Sequence, residues 1–112
     1  MGARFGRVIT AMVTPFTQDA SLDVDEAQRL ARHLIEHGSE GLVVCGSTGE
    51  GATLRDDEKA TLFRAVVDAV SGDASVVCGT GTYSTEHSIE LTREAEKAGA
   101  DGALVVTPYY NR

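Results

Sequence analysis

The chain has 112 residues, a formal net charge of −7 and two cysteines, and 42% of its residues are hydrophobic. This length is enough for one small domain with its own core. The acidic charge argues against a nucleic-acid partner, because binding phosphates requires a basic stripe that the sequence does not contain. No apolar run approaches the ~20 residues of a membrane span, so we expect no membrane partner. No apolar signal core follows the first seven residues, which predicts no secretory targeting.

Apolar runs alternate with amphipathic segments along the chain. Strands are predicted at 8–13, 41–45, 75–78 and 103–107, and helices at 24–37, 56–70 and 85–98. Most of the strand runs are almost continuously apolar and rich in valine, as expected of strands buried on both faces. Asp23 and Glu26 have the spacing of a capping box, Ser84 or Thr85 caps the third helix, and Gly99 ends it.

The resulting order, β-α-β-α-β-α-β, predicts an α/β fold with a parallel sheet and right-handed crossovers. Two architectures fit: an open doubly wound sheet, and a (β/α)₈ TIM barrel, which needs ~250 residues. As a barrel, residues 1–112 are the N-terminal half of a single domain. We expect the chain to be truncated after the fourth strand, because an uncovered parallel edge strand is a poor place for a domain to finish.

Sites in parallel α/β folds form where the strands end, so the segments after each strand are the candidates. The segment at 46–50, Gly-Ser-Thr-Gly-Glu, is the richest. Its glycines permit a tight turn, and the hydroxyls of Ser47 and Thr48 can hold a carboxylate. The alternative is that these hydroxyls only satisfy their own turn. Tyr109 and Tyr110 follow the last strand, where a phenol can pass a proton or contact a neighbouring subunit.

Other motifs have structural interpretations. Residues 79–81, Gly-Thr-Gly, lack the third glycine of a dinucleotide fingerprint and are read as a tight turn between strand and helix. His33 and His37 have the spacing of a metal pair, but no third ligand follows, so we predict no metal site. Cys45 and Cys78 are predicted to be buried, reduced thiols on strands, which favours a cytoplasmic location.

These motifs, in this order, resemble the dihydrodipicolinate synthase and N-acetylneuraminate lyase superfamily. The resemblance covers nearly the whole chain and is carried by the segments 10–16, 46–54, 79–81 and 106–111. It implies a (β/α)₈ barrel in a homotetramer, with no cofactor. It also implies lyase chemistry in which pyruvate forms a Schiff base with a lysine and then attacks an aldehyde.

The resemblance assigns roles to individual residues. Thr48 is expected to bind the pyruvate carboxylate through its hydroxyl and backbone. Ser47 takes a place in a proton relay where the superfamily usually has threonine, and it keeps the hydroxyl. Tyr110 is expected to reach across a dimer interface into the neighbouring active site, and Tyr109 to lie at that interface.

Residues 109–111, Tyr-Tyr-Asn, and the continuation at 51–54 favour the synthase branch, in which the aldehyde is aspartate semialdehyde and the product feeds lysine biosynthesis. Keto-deoxy-sugar aldolases or the lyase branch are the alternatives. Lysine-inhibited members have histidine, asparagine and glutamate at the positions of Asp56, Tyr83 and His87. We therefore predict weak or absent lysine feedback.

The sequence contains only two lysines, Lys59 and Lys97, and both fall within predicted helices. The Schiff-base lysine of the superfamily lies later than residue 112. We therefore expect the 112-residue chain to be catalytically inert by itself. A non-catalytic half-barrel module that binds a small anion or a partner is the competing hypothesis.

Overall fold

The structure is a computed structural model that describes residues 4–110. Its elements are β1 (Ile9–Ala11), α1 (Val24–Glu36), β2 (Gly41–Val44), a short 3₁₀ helix (Gly51–Thr53), α2 (Asp56–Val70), β3 (Ser75–Gly79), α3 (Thr85–Ala98) and β4 (Gly102–Leu104). The predicted order of strands and helices is confirmed, and the 3₁₀ helix is an element that the sequence did not predict. Asn111, which belongs to the motif at 109–111, lies outside the described residues.

The four strands form one parallel sheet in the order β1-β2-β3-β4. Thr10 pairs with Leu42, Val43 with Val77, and Cys78 with Ala103. A doubly wound sheet reverses its strand order at a switch point, and this sheet has no reversal. The sequential order therefore favours the barrel over the doubly wound alternative.

The helix ends follow from local hydrogen bonds. The Asp23 carboxylate accepts from the Glu26 backbone N–H at 3.1 Å, and the Ser84 hydroxyl accepts from the His87 N–H at 3.3 Å. The predicted capping box at α1 is only half formed, because the Glu26 carboxylate pairs with Arg29 instead of reaching back to the helix start. Gly99 ends α3 with a φ of 91°, which glycine adopts without the steric cost of a Cβ.

The core lies between the sheet and the layer formed by α1 and α2. Its largest fully buried side chains include Phe63, Leu62 and Val66 of α2, which pack near Leu42 of β2. On α1, Ala27 and Ala31 are buried, and their small side chains allow the two helices to approach closely. On α2, Leu62 is fully buried and Ala60 only half-buried, so the buried face of this helix is centred nearer to Leu62 than to Ala60.

The outer strands differ from the expectation. β2 is buried along nearly its whole length, whereas β1 and β4 carry mostly exposed residues. The prediction that most of the strands are buried on both faces is therefore wrong. β1 and β4 are the first and last strands of the sheet, so fewer neighbouring elements cover their side chains. β4 also ends at Leu104, so the segment 105–107, predicted as strand, is exposed and irregular.

Candidate active site

The loop at 46–50 turns back sharply on itself at the carboxyl end of β2. The Glu50 N–H donates to the Ser47 carbonyl at 3.1 Å, and the Gly51 N–H donates to the Gly46 carbonyl at 3.1 Å. Cys45 and Glu50, which flank the loop, have left-handed backbones with φ of 60° and 57°. Non-glycine residues rarely adopt this conformation, and it is concentrated at functional sites.

A hydrogen bond joins the loop to the segment that follows β1. The buried Thr14 hydroxyl donates to the Gly49 carbonyl at 2.6 Å. Gly49 is itself buried, and a Cβ there would lie 3.0 Å from the Met12 carbonyl oxygen. The loop therefore has a fixed position relative to two neighbouring strands.

The hydroxyls of Ser47 and Thr48 are available to a ligand. Both residues are exposed, and within residues 4–110 neither hydroxyl takes part in a hydrogen bond. Backbone groups and the Thr14 hydroxyl already satisfy the turn. This geometry disfavours the interpretation that Ser47 and Thr48 serve only their own turn.

The two glycines at 79–81 are needed where backbones approach closely. A Cβ on Gly79 would lie 2.3 Å from the Cys45 carbonyl oxygen, and one on Gly81 would lie 2.3 Å from the Val106 nitrogen. Gly79 is the last residue of β3, so the interpretation of 79–81 as simply a turn is incomplete. Glycine lets the ends of β2, β3 and the segment after β4 converge at one rim.

A cavity of about 480 Å³ opens at this rim, between the strand ends and the first turns of α2 and α3. Its lining residues with polar or titratable side chains include Ser47, Cys45, Lys59, Tyr83, His87 and Tyr109. The structure thus brings Ser47 and Tyr109 to one cavity. Thr48 and Tyr110 do not line it.

The tyrosines after β4 continue outward from the cavity. The rings of Tyr83 and Tyr109 meet edge to face with centroids 6.0 Å apart, and Tyr110 lies 6.1 Å beyond Tyr109. Tyr110 is fully exposed and has a left-handed φ of 65°. The Tyr110 ring is therefore in solvent, and it does not line the cavity that Ser47 lines.

Lys59 lines the cavity, which the sequence pattern did not predict. It belongs to the inner face of α2, is only 6% exposed and lines the same cavity as Ser47. The spacing indicates that Lys59 shares the inner face of α2, since it precedes Phe63 by one helical turn and Val66 by two. A charged residue on an apolar stripe is easily assigned to solvent, but here its long stem packs inward.

The two cysteines are buried and free, as predicted, and Cys78 lies on β3. The predicted strand position is wrong for Cys45, which follows the last residue of β2 and has a left-handed backbone. Burial raises the pKa of the Cys45 thiol to about 12, although the nearby Lys59 charge acts in the opposite direction. Burial also raises the pKa of Cys78 to about 12, with Cys45 and Asp101 adding to the effect. Thiols held in the protonated form are poor nucleophiles, so neither is suited to covalent chemistry.

His33 lies on the exposed face of α1 and His37 caps the carboxyl end of that helix, and their rings stack with centroids 4.2 Å apart. Across residues 4–110 no group of three or more His, Cys, Asp or Glu side chains is placed to hold a metal ion. In the same range, no helix is long and apolar enough to cross a membrane.

The sequence matches the family model described as the dihydrodipicolinate synthetase family over residues 4–112. The chain belongs to this family. It is 62% identical over 110 residues to 4-hydroxy-tetrahydrodipicolinate synthase of Acidothermus cellulolyticus, an alignment that covers 98% of this chain and 36% of that protein. The chain thus spans about a third of the length of this curated relative.

Solved structures from the family superpose closely. The structure of the enzyme from Cyanidioschyzon merolae with lysine bound gives a TM-score of 0.93 at 50% identity, covering 97% of this chain and 37% of that one. The chloride-inhibited enzyme from Acinetobacter baumannii complexed with pyruvate gives 0.90 at 38% identity, covering 94% and 36%. These family members are TIM barrels, so the sheet of β1 to β4 is part of a (β/α)₈ barrel, as predicted.

Proposed function

We propose that this chain is the pyruvate-binding part of a 4-hydroxy-tetrahydrodipicolinate synthase. This lyase condenses pyruvate, held as a Schiff base on a lysine, with L-aspartate 4-semialdehyde in the biosynthesis of lysine and diaminopimelate. The observation that carries the proposal is the loop at 46–50 at the carboxyl-end rim of the barrel sheet, whose Ser47 and Thr48 hydroxyls are exposed and make no hydrogen bond within residues 4–110. Membership of the family and the relative that is 62% identical support it.

Thr48 binds the pyruvate carboxylate in this proposal. Its hydroxyl donates one hydrogen bond, and the backbone N–H groups of the turn supply others. These local donors can hold an anion although the chain carries a net charge of −7. The Thr14 bond and the buried Gly49 fix the loop before the ligand arrives. A fixed set of donors avoids the entropic cost of ordering the loop on binding.

Ser47 and Tyr110 share a proton relay, in which each hydroxyl accepts a proton on one side and donates one on the other. The full exposure of Tyr110 supports a role outside its own cavity, in the site of a neighbouring subunit. Tyr109 stands between the cavity and Tyr110, which suits a residue at a subunit interface. The assembly proposed for the enzyme is a homotetramer in the cytoplasm.

The covalent step requires a lysine at the rim. Lys59 and Lys97 both lie on helices, and Lys97 is exposed beside Glu94. We therefore place the Schiff-base lysine in a part of the enzyme outside these 112 residues. Residues 1–112 are then the N-terminal part of a single barrel domain that supplies the carboxylate and relay half of the site.

The test is a titration of the 112-residue chain with pyruvate, in which NMR spectroscopy of the backbone amides measures binding. Pyruvate is expected to shift the amide signals of residues 46–50, whereas acetone, a ketone without a carboxylate, is expected to leave them unchanged. Ser47→Ala combined with Thr48→Val should abolish the shifts. Pyruvate-induced shifts that persist in this double variant would count against the carboxylate role and favour a module that binds anions elsewhere.

A further inference from the structure

Two histidines at the carboxyl end of α1 have no part in the proposed aldolase chemistry. His33 lies in the last turn of α1, and His37 is the residue that caps the helix. Side chains four positions apart lie on the same face of a helix, one turn apart. Both residues are exposed, and their rings stack with centroids 4.2 Å apart and planes inclined by 30°. The two imidazoles therefore lie side by side at the protein surface.

A hydrogen bond fixes the tautomer of His37. Its Nδ1 lies 2.7 Å from the His33 carbonyl oxygen, which also accepts from the His37 backbone N–H at 3.1 Å. A carbonyl oxygen can only accept, so Nδ1 carries the proton, and Nε2 of the neutral ring keeps its lone pair. Metal-binding histidines have this arrangement, in which one ring nitrogen donates to a carbonyl and the other binds the ion.

The other imidazole nitrogens of the pair are not engaged elsewhere in the part of the chain that the structure describes. Within that part, neither the His33 ring nor Nε2 of His37 takes part in a hydrogen bond or an ion pair. His87 differs, because a carboxylate contacts its Nε2 at 2.8 Å. The Arg29 guanidinium, one turn before His33, is held in an ion pair of its own. The net charge of −7 further favours a cation as the ligand of this surface.

The chemistry of two imidazoles selects the kind of ion. The missing third ligand argues against a closed structural site, because in such a site the protein supplies all four ligands. A site that keeps positions for water needs fewer protein ligands. Imidazole nitrogen suits Ni²⁺, Cu²⁺ and Zn²⁺, whereas Mg²⁺ and Ca²⁺ prefer oxygen.

We propose that His33 and His37 chelate one divalent ion of the late first-row transition metals, with water in the remaining positions. Because α1 ends at Glu36 and β2 begins at Gly41, this site lies at the end of the sheet where strands start. The loop at 46–50 is at the opposite end, so the metal site is independent of the proposed pyruvate site. The ion links the last turn of α1 to its cap, so it binds the folded helix more tightly than the unfolded chain.

Nickel is the probe, because Ni²⁺ does not oxidise the two cysteine thiols. Calorimetric titration of the untagged 112-residue chain with nickel chloride measures its affinity. His33→Asn and His37→Asn should each weaken binding by about tenfold or more, since even partners outside the coordination sphere contribute this much. His87→Asn is the matched control and should bind nickel as the unmodified chain does. Magnesium should not compete.

Two further measurements locate the ion. Ni²⁺ is paramagnetic, so it should broaden the amide NMR signals around residues 33–37 and leave those of the loop at 46–50 sharp. It should also raise the urea midpoint of the unmodified chain and not that of His33→Asn, because a ligand that prefers the folded state stabilises it.

Both histidines are exposed, so the variants should fold, and circular dichroism checks this. If His33→Asn were unfolded, the comparison would rest on His37→Asn, since asparagine is tolerated at the end of a helix. The proposal is overturned if both variants bind nickel as tightly as the unmodified chain, if His87→Asn loses binding to the same extent as they do, or if nickel broadens signals away from α1 instead.

Discussion

The Thr14 hydroxyl donates a 2.6 Å hydrogen bond to the Gly49 carbonyl, which ties the end of β1 to the loop that carries Ser47 and Thr48. Both partners are buried. The two residues are far apart in sequence, so this bond exists only once β1 and β2 have paired. It makes the candidate site depend on the integrity of the sheet.

Thr14→Val removes this bond and leaves a buried carbonyl without its donor. We expect the free energy of unfolding to fall by about 1–3 kcal/mol. Urea unfolding followed by circular dichroism measures the change. Thr53→Val is the matched control, because the exposed Thr53 hydroxyl, in the 3₁₀ helix that follows the loop, donates to the Glu50 carbonyl. Its effect should stay within about 0.5 kcal/mol. Equal effects of the two substitutions would contradict the role assigned to Thr14.

Gly79→Ala places a methyl group 2.3 Å from the Cys45 carbonyl oxygen, so the backbones of two neighbouring strands must separate. We expect a loss of stability of about 1–3 kcal/mol or more, as for overpacked cores. Gly46→Ala is the control, since a Cβ there meets only the Val43 side chain, at 3.3 Å. If both variants unfold at the same urea concentration, the close approach of the Cys45 carbonyl does not explain why position 79 is glycine.

The thiols of Cys45 and Cys78 should not react with Ellman's reagent at pH 8 in the folded chain, and both should react in urea. Burial raises the pKa of each to about 12 from an ordinary 9.0. A raised pKa in the folded state stabilises the fold fully below about pH 9, and this contribution is lost as pH rises towards 12.

The same linkage predicts that the free energy of unfolding falls above about pH 9. Urea midpoints measured at increasing pH detect the fall, and Cys78→Ala should make it shallower. A native thiol that reacts at the rate of a free one would show that the cysteine is not buried in solution.

Incubation of the 112-residue chain with pyruvate and borohydride should leave Lys59 and Lys97 unmodified. Neither lysine follows a strand, and Lys59 is enclosed beside Cys45 rather than presented by the loop at 46–50. Intact-mass spectrometry measures the adduct, with the full-length Acidothermus cellulolyticus synthase as positive control. Stoichiometric labelling of Lys59 would instead identify it as a Schiff-base lysine.

L-lysine should bind weakly or not at all. Asp56, Tyr83 and His87 replace the residues expected in lysine-inhibited relatives, and the Asp56 carboxylate is occupied by His87 at 2.8 Å. Calorimetry with millimolar L-lysine measures the affinity, and the Cyanidioschyzon merolae enzyme, whose structure contains lysine, is the reference. Affinity equal to that of this reference would refute the prediction.

The sequence by itself determined the fold class, the helix bounds and the residues of the loop at 46–50. Helical periodicity, caps such as Ser84 and stops such as Gly99 are local signals, so a single sequence carries them in full. The family motifs likewise lie in short segments, and the resemblance they carry implies the barrel.

Only the tertiary structure decided which side chains share a cavity. The sequential strand order favoured the barrel over the doubly wound sheet, and β1 and β4 are exposed as its edge strands. The tertiary structure also placed the buried Lys59 in one cavity with Cys45, and it joined Thr14 to Gly49 through a hydrogen bond. These contacts depend on which helix face meets which strand end, and long-range packing fixes that relation where local propensity does not.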